Sequence, residues 1–366
     1  MTRTIKVGIF TSALDEVGGW GRYTVSLVRA LEKQGVSCTV FTEDLIRPRN
    51  FNTEIFHLKS CPGAGLKNIF CIVWDWFRLF KVIRKFDIIH VCTETHIFLA
   101  WLLNKPYVVS THGTYSLRFL ERGLTKGLAV KAFNSAAAVI VTSEFTYEKI
   151  KPYINVRRSE QLPNGVDLNL FKRDLAIARK LHTIITVGGI KPRKGQDLVV
   201  RAVAELVKTF PDTRYLIVGE YGYFQNTLVD LIKDLHVEDS VIFAGTPNDE
   251  ELIRLYAESG VFVLASRVDS SNSFEGYPLS LLEASACELP IIGSYGCGAE
   301  HLIKNGKNGF LIHQDNVDEL VKYLIALFED EKKSKDIGQN AFQVAKSLSW
   351  DKNAEKVIEI YKSICK

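Results

Sequence analysis

Short runs of β-branched and apolar residues recur along the chain, separated by longer stretches with apolar positions at helical spacing. In the first half these runs predict strands at Ile5–Phe10, Ser37–Thr42, Ile88–Val91, Tyr107–Ser110 and Ala137–Thr142. In the second half they predict strands at Thr183–Val187, Arg214–Val218, Val241–Ala244, Val261–Leu264, Pro290–Gly293 and Gly309–Ile312. Short strands alternating with helical segments belong to parallel sheets built from βαβ units. Two such sets predict an α/β chain of two doubly wound domains. The turn-forming stretch Leu162-Pro163-Asn164-Gly165-Val166-Asp167 marks the join, giving domains at 1–165 and 166–348. From 349 to 366, Ala354, Val357, Ile358, Tyr361 and Ile364 recur at helical spacing and predict a terminal helix. Ligands of doubly wound sheets bind beyond the carboxyl ends of the strands, so two such domains facing each other would form a cleft.

At 366 residues the chain exceeds what one hydrophobic core supports, which agrees with two domains. Seven cysteines are scattered with no Cys-x-x-Cys pair, Cys61 among them, which argues for a reducing compartment and against a zinc site or disulfide framework. The net charge is +4, yet residues 1–165 hold 22 Lys and Arg against 13 Asp and Glu, while the remainder holds 24 against 29. A basic first half points to an anionic partner: nucleic acid, a phospholipid surface or a phosphate-bearing substrate. Met1-Thr2-Arg3-Thr4 leads straight into the first strand, leaving no room for a signal peptide, so a cytoplasmic location is expected.

The most informative stretch is Phe274-Glu275-Gly276-Tyr277-Pro278-Leu279-Ser280-Leu281-Leu282-Glu283. Pro278 suits the first turn of a helix, where its missing N–H has no partner to lose. Free N–H groups at that helix start form a seat for phosphate. One carboxylate, Glu275, precedes the seat and one, Glu283, follows it. This Glu-x7-Glu pattern resembles the signature of the retaining nucleotide-sugar glycosyltransferases of the GT-B fold, specifically glycosyltransferase family 4 (group 1). The resemblance extends over nearly the whole chain and implies two Rossmann-like domains, with the terminal helix crossing back to the first. It implies that Glu275 contacts the donor sugar, Glu283 the ribose, and Gly276, Tyr277, Pro278 and Leu279 the diphosphate.

Other positions fit the same resemblance. Gly18 and Gly19, in the loop before a helix starting near Arg22, match the place where the first domain meets the diphosphate or acceptor. His112, at the end of the fourth strand, matches a histidine that helps to stabilise the transition state. In Val187-Gly188-Gly189-Ile190-Lys191-Pro192-Arg193-Lys194, Lys194 matches the family's phosphate-binding lysine. Gly189 stands where the family has an arginine, so either Arg193 or Lys191 supplies the second positive charge, or the clamp is weaker. Gly219 and Thr246 sit in strand-to-loop junctions that resemble the nucleobase pocket. No Asp-x-Asp pair occurs, so neither metal nor other cofactor is expected beyond the nucleotide sugar itself. A rival feature is Gly19-x-Gly21-x-x-Thr24, with Glu43 ending the second strand, which half-matches a dinucleotide fingerprint.

Residues 66–86 are apolar but broken by Lys67, Asp75, Arg78, Lys81, Arg84 and Lys85, so they do not read as a membrane span. Lys67, Cys71, Asp75, Arg78, Lys81 and Lys85 form a polar stripe at near-helical spacing. Two readings stay open: a helix on the first sheet with this stripe in solvent, or aromatics at a membrane interface beside basic residues. Arg118, Arg122, Lys126 and Lys131, at 118–131, would add to the second. Together these features predict a retaining glycosyltransferase that moves a sugar from a UDP-sugar, or next a GDP-sugar, to a glycan or lipid-linked acceptor. Bacterial surface polysaccharide or lipopolysaccharide synthesis is the expected setting, with no nucleic-acid partner. A nucleotide-sugar epimerase, an NAD-dependent oxidoreductase and a non-catalytic nucleotide-sugar-binding protein are the alternatives.

Overall fold

Because the β-branched runs are buried on both faces, they assemble into two all-parallel sheets covered by helices. The structure, a computed structural model, describes residues 4–59, 66–121, 123 and 125–365. Met1–Arg3, Cys61, the Lys67 side chain and Arg122, all named above, lie outside them. The chain divides into two compact units, one of residues 1–164 with 350–366, the other of residues 165–349.

The first unit begins β1 (Lys6–Phe10), α1 (Gly19–Lys33), β2 (Ser37–Thr42), β3 (Glu54–His57), α2 (Leu66–Val82) and β4 (Ile88–Val91). It continues α3 (Ile97–Leu102), β5 (Tyr107–Thr111), α4 (Thr114–Glu121), α5 (Lys126–Ser135), β6 (Ala138–Val141), α6 (Glu144–Ile150) and β7 (Ser159–Gln161). Its sheet runs β3-β2-β1-β4-β5-β6-β7. The second unit holds β8 (Lys180–Val187), α7 (Gln196–Leu206), β9 (Arg214–Val218), α8 (Gln225–Asp234), β10 (Val241–Gly245) and α9 (Asp249–Glu258). There follow β11 (Ser259–Val263), α10 (Leu279–Ala286), β12 (Ile291–Ser294), β13 (Phe310–Ile312), α11 (Val317–Phe328) and α12 (Glu331–Ser347). Its sheet runs β10-β9-β8-β11-β12-β13. In each sheet the order of strand addition reverses, between β1 and β4 and between β8 and β11, and there the strand ends open a crevice.

The last helix, α13 (Trp350–Ile364), belongs to the first unit and packs on α1. A buried polar thread fastens it. The Tyr361 hydroxyl lies 2.6 Å from His90 Nδ1, His90 Nε2 lies 2.8 Å from Ser110 Oγ, and Ser110 Oγ lies 2.8 Å from the Tyr23 hydroxyl. Burial and the neighbouring His112 push the His90 pKa down to about 3, so its ring is neutral.

Three expectations need correction. Edge strands β3 and β7 carry no β-branched run, because edge positions are half-exposed and tolerate Glu, His and Gln. Helix α1 starts at Gly19, not near Arg22, with Gly18 as its N-cap. The stripe of 66–86 is divided: Arg78, Lys81 and Lys85 are exposed as expected, but Asp75 is fully buried, accepting from Lys59 N at 2.8 Å and pairing with Arg78 at 3.1 Å, and Cys71 is half-buried.

His90 gives a pH test. Its folded pKa lies below the unfolded value near 6.5, so its contribution is complete above that value and declines as pH falls toward 3. Between about pH 6.5 and about pH 5 the wild type should lose about 2 kcal/mol that His90→Gln does not lose, as read by urea unfolding.

Candidate active site

The crevice between β8 and β11 is built from the loops that follow those strands. The loop after β8 carries Arg193 and Lys194, and the loop after β11 carries Glu275. Both cations converge on one carboxylate oxygen: Arg193 and Lys194 each place a nitrogen 2.5 Å from Glu275 Oε2. The Glu275 side chain is only 14% exposed. Burial alone would raise its pKa, but Arg193 and Lys194 outweigh it and hold the carboxyl at about 2. Burial lowers the Lys194 pKa, with Glu275 opposing and Arg193 and Lys191 adding to the fall. One anion thus faces two direct cations, with Lys191 close enough to be felt.

The loops at this edge are stitched through backbone. Gly188 N donates to Val218 O at 2.8 Å, Ile190 N to Glu220 O at 3.0 Å, and Gly219 N to Gly245 O at 2.7 Å. Gly219 has φ +147°, and a Cβ there would lie 2.3 Å from Gly188 O, so only glycine lets the two loops meet. Thr246 follows, exposed. Gly189, where the resemblance led us to expect arginine, leaves space that Lys191 borders: a Cβ at Gly189 would lie 3.6 Å from Lys191 Cε.

Glu275 leads directly into α10. Pro278 is its N-cap, one position earlier than expected, while Leu279 opens the helix. Gly276 and Tyr277 are buried between them. Glu283 is buried one turn into α10, accepting from the Tyr256 hydroxyl at 3.1 Å. Ser271 and Ser273 are drawn into a turn around Asp269, whose Oδ1 accepts from both backbone N–H groups. Sequence reasoning missed Gly298, which holds the segment from behind. Its N–H donates to Glu275 O at 2.9 Å, and a Cβ there would lie 1.9 Å from Gly276 O. The Gly296-Cys297-Gly298 spacing was its only signal.

In the first unit, His112 and the Gly18-Gly19 segment come together at the carboxyl edge of the sheet. Tyr23 of α1 packs edge-on against His112 at 4.4 Å, and Trp20 lies 4.2 Å from Tyr115. Burial lowers the His112 pKa against the opposing effects of Glu94 and the Cys92 carbonyl. The ring is therefore neutral near pH 7, and Nε2, 2.7 Å from Cys92 O, carries the proton. Nδ1 is then the acceptor nitrogen. Gly18 N donates to the Asp15 carboxylate, which leaves Gly19 as the open end of α1. Gly21 has a packing cause, since a Cβ there would lie 1.8 Å from Asp15 O. Thr24 is buried against Thr11 at 2.9 Å, and Glu43 pairs with His96 at 2.9 Å. The half-match to a dinucleotide fingerprint is thus accounted for by packing.

Comparison with known proteins gives a consistent result. Residues 17–170 match the family model described as Glycosyltransferase Family 4, and residues 169–344 match Glycosyl transferases group 1. The chain is 29% identical to an uncharacterized glycosyltransferase of Haemophilus influenzae, covering 98% of this chain and 99% of the relative. It is 28% identical to a GDP-mannose-dependent alpha-(1-6)-phosphatidylinositol monomannoside mannosyltransferase of Mycolicibacterium smegmatis, over 63% of each chain. The crystal structure of Anabaena HepE in complex with UDP and glucose superposes with a TM-score of 0.82 at 19% identity, covering 98% of this chain and 100% of that one. That likeness is one of fold.

Gly298→Ala should force the Glu275–Gly276 segment to move. We expect a loss of about 1–3 kcal/mol in the urea stability of the second unit, the usual cost of overpacking. An unchanged midpoint would show that the segment yields freely.

Proposed function

The chain belongs to glycosyltransferase family 4 and is a group 1 glycosyltransferase that uses a nucleotide sugar; on that premise we propose that it transfers a sugar, with retention, from a UDP-sugar to a glycan or lipid-linked acceptor. The observation that carries this reading is the buried Glu275 carboxylate shared by Arg193 and Lys194 at the start of α10. After Glu275 is neutralised, positive charge remains for a diphosphate. Lys194 and Arg193 supply it, and Lys191 takes the part of the arginine missing at 189. The N–H groups of Gly276, Tyr277 and Leu279, with Pro278 fixing the entry, add the dipole of α10. Gly19, with Gly18, is assigned to the same diphosphate.

Glu275, held ionised, accepts hydrogen bonds from the sugar's hydroxyls and fixes its orientation. Glu283 accepts from the ribose, and the shelf of Gly219 and Thr246 receives the base. His112, neutral with its Nδ1 lone pair available, accepts from a donor hydroxyl and stabilises charge developing near the anomeric carbon. The glycosidic C–O bond to the diphosphate breaks as the acceptor oxygen bonds to the same face. The leaving phosphate oxygen takes the acceptor's proton. The second unit is thus the donor domain and the first the acceptor domain. UDP is favoured by the UDP and glucose held in the Anabaena structure, and a GDP-sugar stands next because of the mannosyltransferase relative. The phosphatidylinositol monomannoside in that relative's name and the basic first half support a lipid-linked acceptor in bacterial surface polysaccharide or lipopolysaccharide synthesis.

The test is thermal shift against UDP, GDP, ADP, their sugar conjugates and NAD, followed by turnover of the sugar nucleotide that binds. One nucleoside diphosphate should stabilise the chain selectively. Glu275→Gln should bind that diphosphate at least as tightly, because it removes a like charge, while turnover falls by about 100-fold or more. Stabilisation by NAD alone, or full turnover in Glu275→Gln, would overturn the reading.

A further inference from the structure

Helix α2 shows an unusual outward face. Ile69, Phe70, Val73, Trp74, Phe77 and Phe80 are each between 42% and 70% exposed. At 100° per residue they fall on one arc, while Asp75 and Leu79 on the opposite arc are buried. An ordinary surface helix presents its polar residues outward, and this one presents aromatics.

Basic groups rim the apolar arc. Lys81, Arg84 and Lys85 are exposed at its end, Lys59 Nζ sits 4.8 Å over the Trp74 ring, and the Arg84 guanidinium sits 4.8 Å over Phe80. Helix α3 lies between α2 and α5, so all three share one side of the first unit. Trp76 Nε1 ties α2 to Leu102 O at 2.9 Å. Exposed Leu102 and Leu128, with exposed Lys126 and Lys131, extend the same combination. Asp75 is the one carboxylate in these three helices, and it is buried and paired.

We propose that the outward face of α2, rimmed by Lys59, Lys81, Arg84 and Lys85 and continued by α5, seats the protein on an anionic phospholipid bilayer. The charge pattern selects this occupant. A second copy docked isologously would present the same patch, and α2, α3 and α5 offer no exposed carboxylate to pair with Lys81, Arg84 and Lys85. Anionic headgroups supply the missing counter-charge, and the interfacial acyl region receives Phe70, Trp74 and Phe77. No helix of the described residues is long and apolar enough to cross a membrane, so the contact is one of lying on the surface. The inference is independent of the donor chemistry proposed above.

The test is co-sedimentation of the full chain with extruded vesicles of phosphatidylcholine alone and of phosphatidylcholine mixed equally with phosphatidylglycerol. Binding to the anionic vesicles should exceed binding to the neutral ones by about tenfold or more and weaken with added salt. Phe70→Ser with Phe77→Ser should reduce it by about tenfold with the melting temperature kept. Lys81→Glu with Arg84→Glu and Lys85→Glu should abolish the preference for anionic lipid. Sedimentation velocity of wild type and the Phe variant without lipid supplies the second readout. No vesicle binding, equal binding to both vesicle types, or a dimer that the Phe70/Phe77 substitutions dissolve would overturn the proposal.

Discussion

A carboxylate buried against two cations is the interaction on which the site depends. Glu275 is mostly out of water, and only Arg193 and Lys194 at 2.5 Å make its charge tolerable there. The dependence is mutual, since burial also disfavours the Lys194 ammonium. Because the cations come from the loop after β8 and the anion from the loop after β11, the pair clamps the two sides of the crevice. The stitching at Gly219 and the backing at Gly298 then hold the clamp in register. A site fixed before ligand arrives does not have to be ordered by it.

The first unit solves a related problem without charge. Its thread from Tyr361 through His90 and Ser110 to Tyr23 is entirely neutral at physiological pH, because burial holds the His90 ring unprotonated. The thread joins the last helix to β4, β5 and α1, and Tyr23 in turn packs on His112. The position of the histidine therefore rests on α13, which is distant in sequence. Outside this buried frame the unit leaves a basic, aromatic face on α2 and α5, where the chain's charge asymmetry becomes a surface property.

Much of this was legible before the structure. The central strands announce themselves because burial on both faces demands β-branched and apolar residues, and Ser37–Thr42, Ile88–Val91 and Arg214–Val218 fall where expected. Edge strands β3 and β7 were silent because one side of each needs no apolar residue. The Glu275-to-Glu283 segment was readable because its chemistry is local: a proline, a glycine and two carboxylates within one loop and helix. What was not local was lost. Nothing in the sequence tied Gly298 to Gly276, or His90 to Tyr361, since those contacts depend on how distant segments pack. The stripe of 66–86 was right for Arg78, Lys81 and Lys85 and wrong for Asp75, because periodicity groups polar positions without saying which of them turns inward. Asp75 went inside because Arg78 and the Lys59 N–H satisfy it there.

The central electrostatic claim can be read directly from the side-chain carboxyl carbon of Glu275 by NMR pH titration of the ligand-free protein. The account predicts an ionised carboxylate down to about pH 2, or to the acid limit of the fold, with a clear upward shift in Lys194→Met. A wild-type titration centred near the ordinary value of 4.5 would contradict it, because the cations would then not be holding the charge around which the donor site is built.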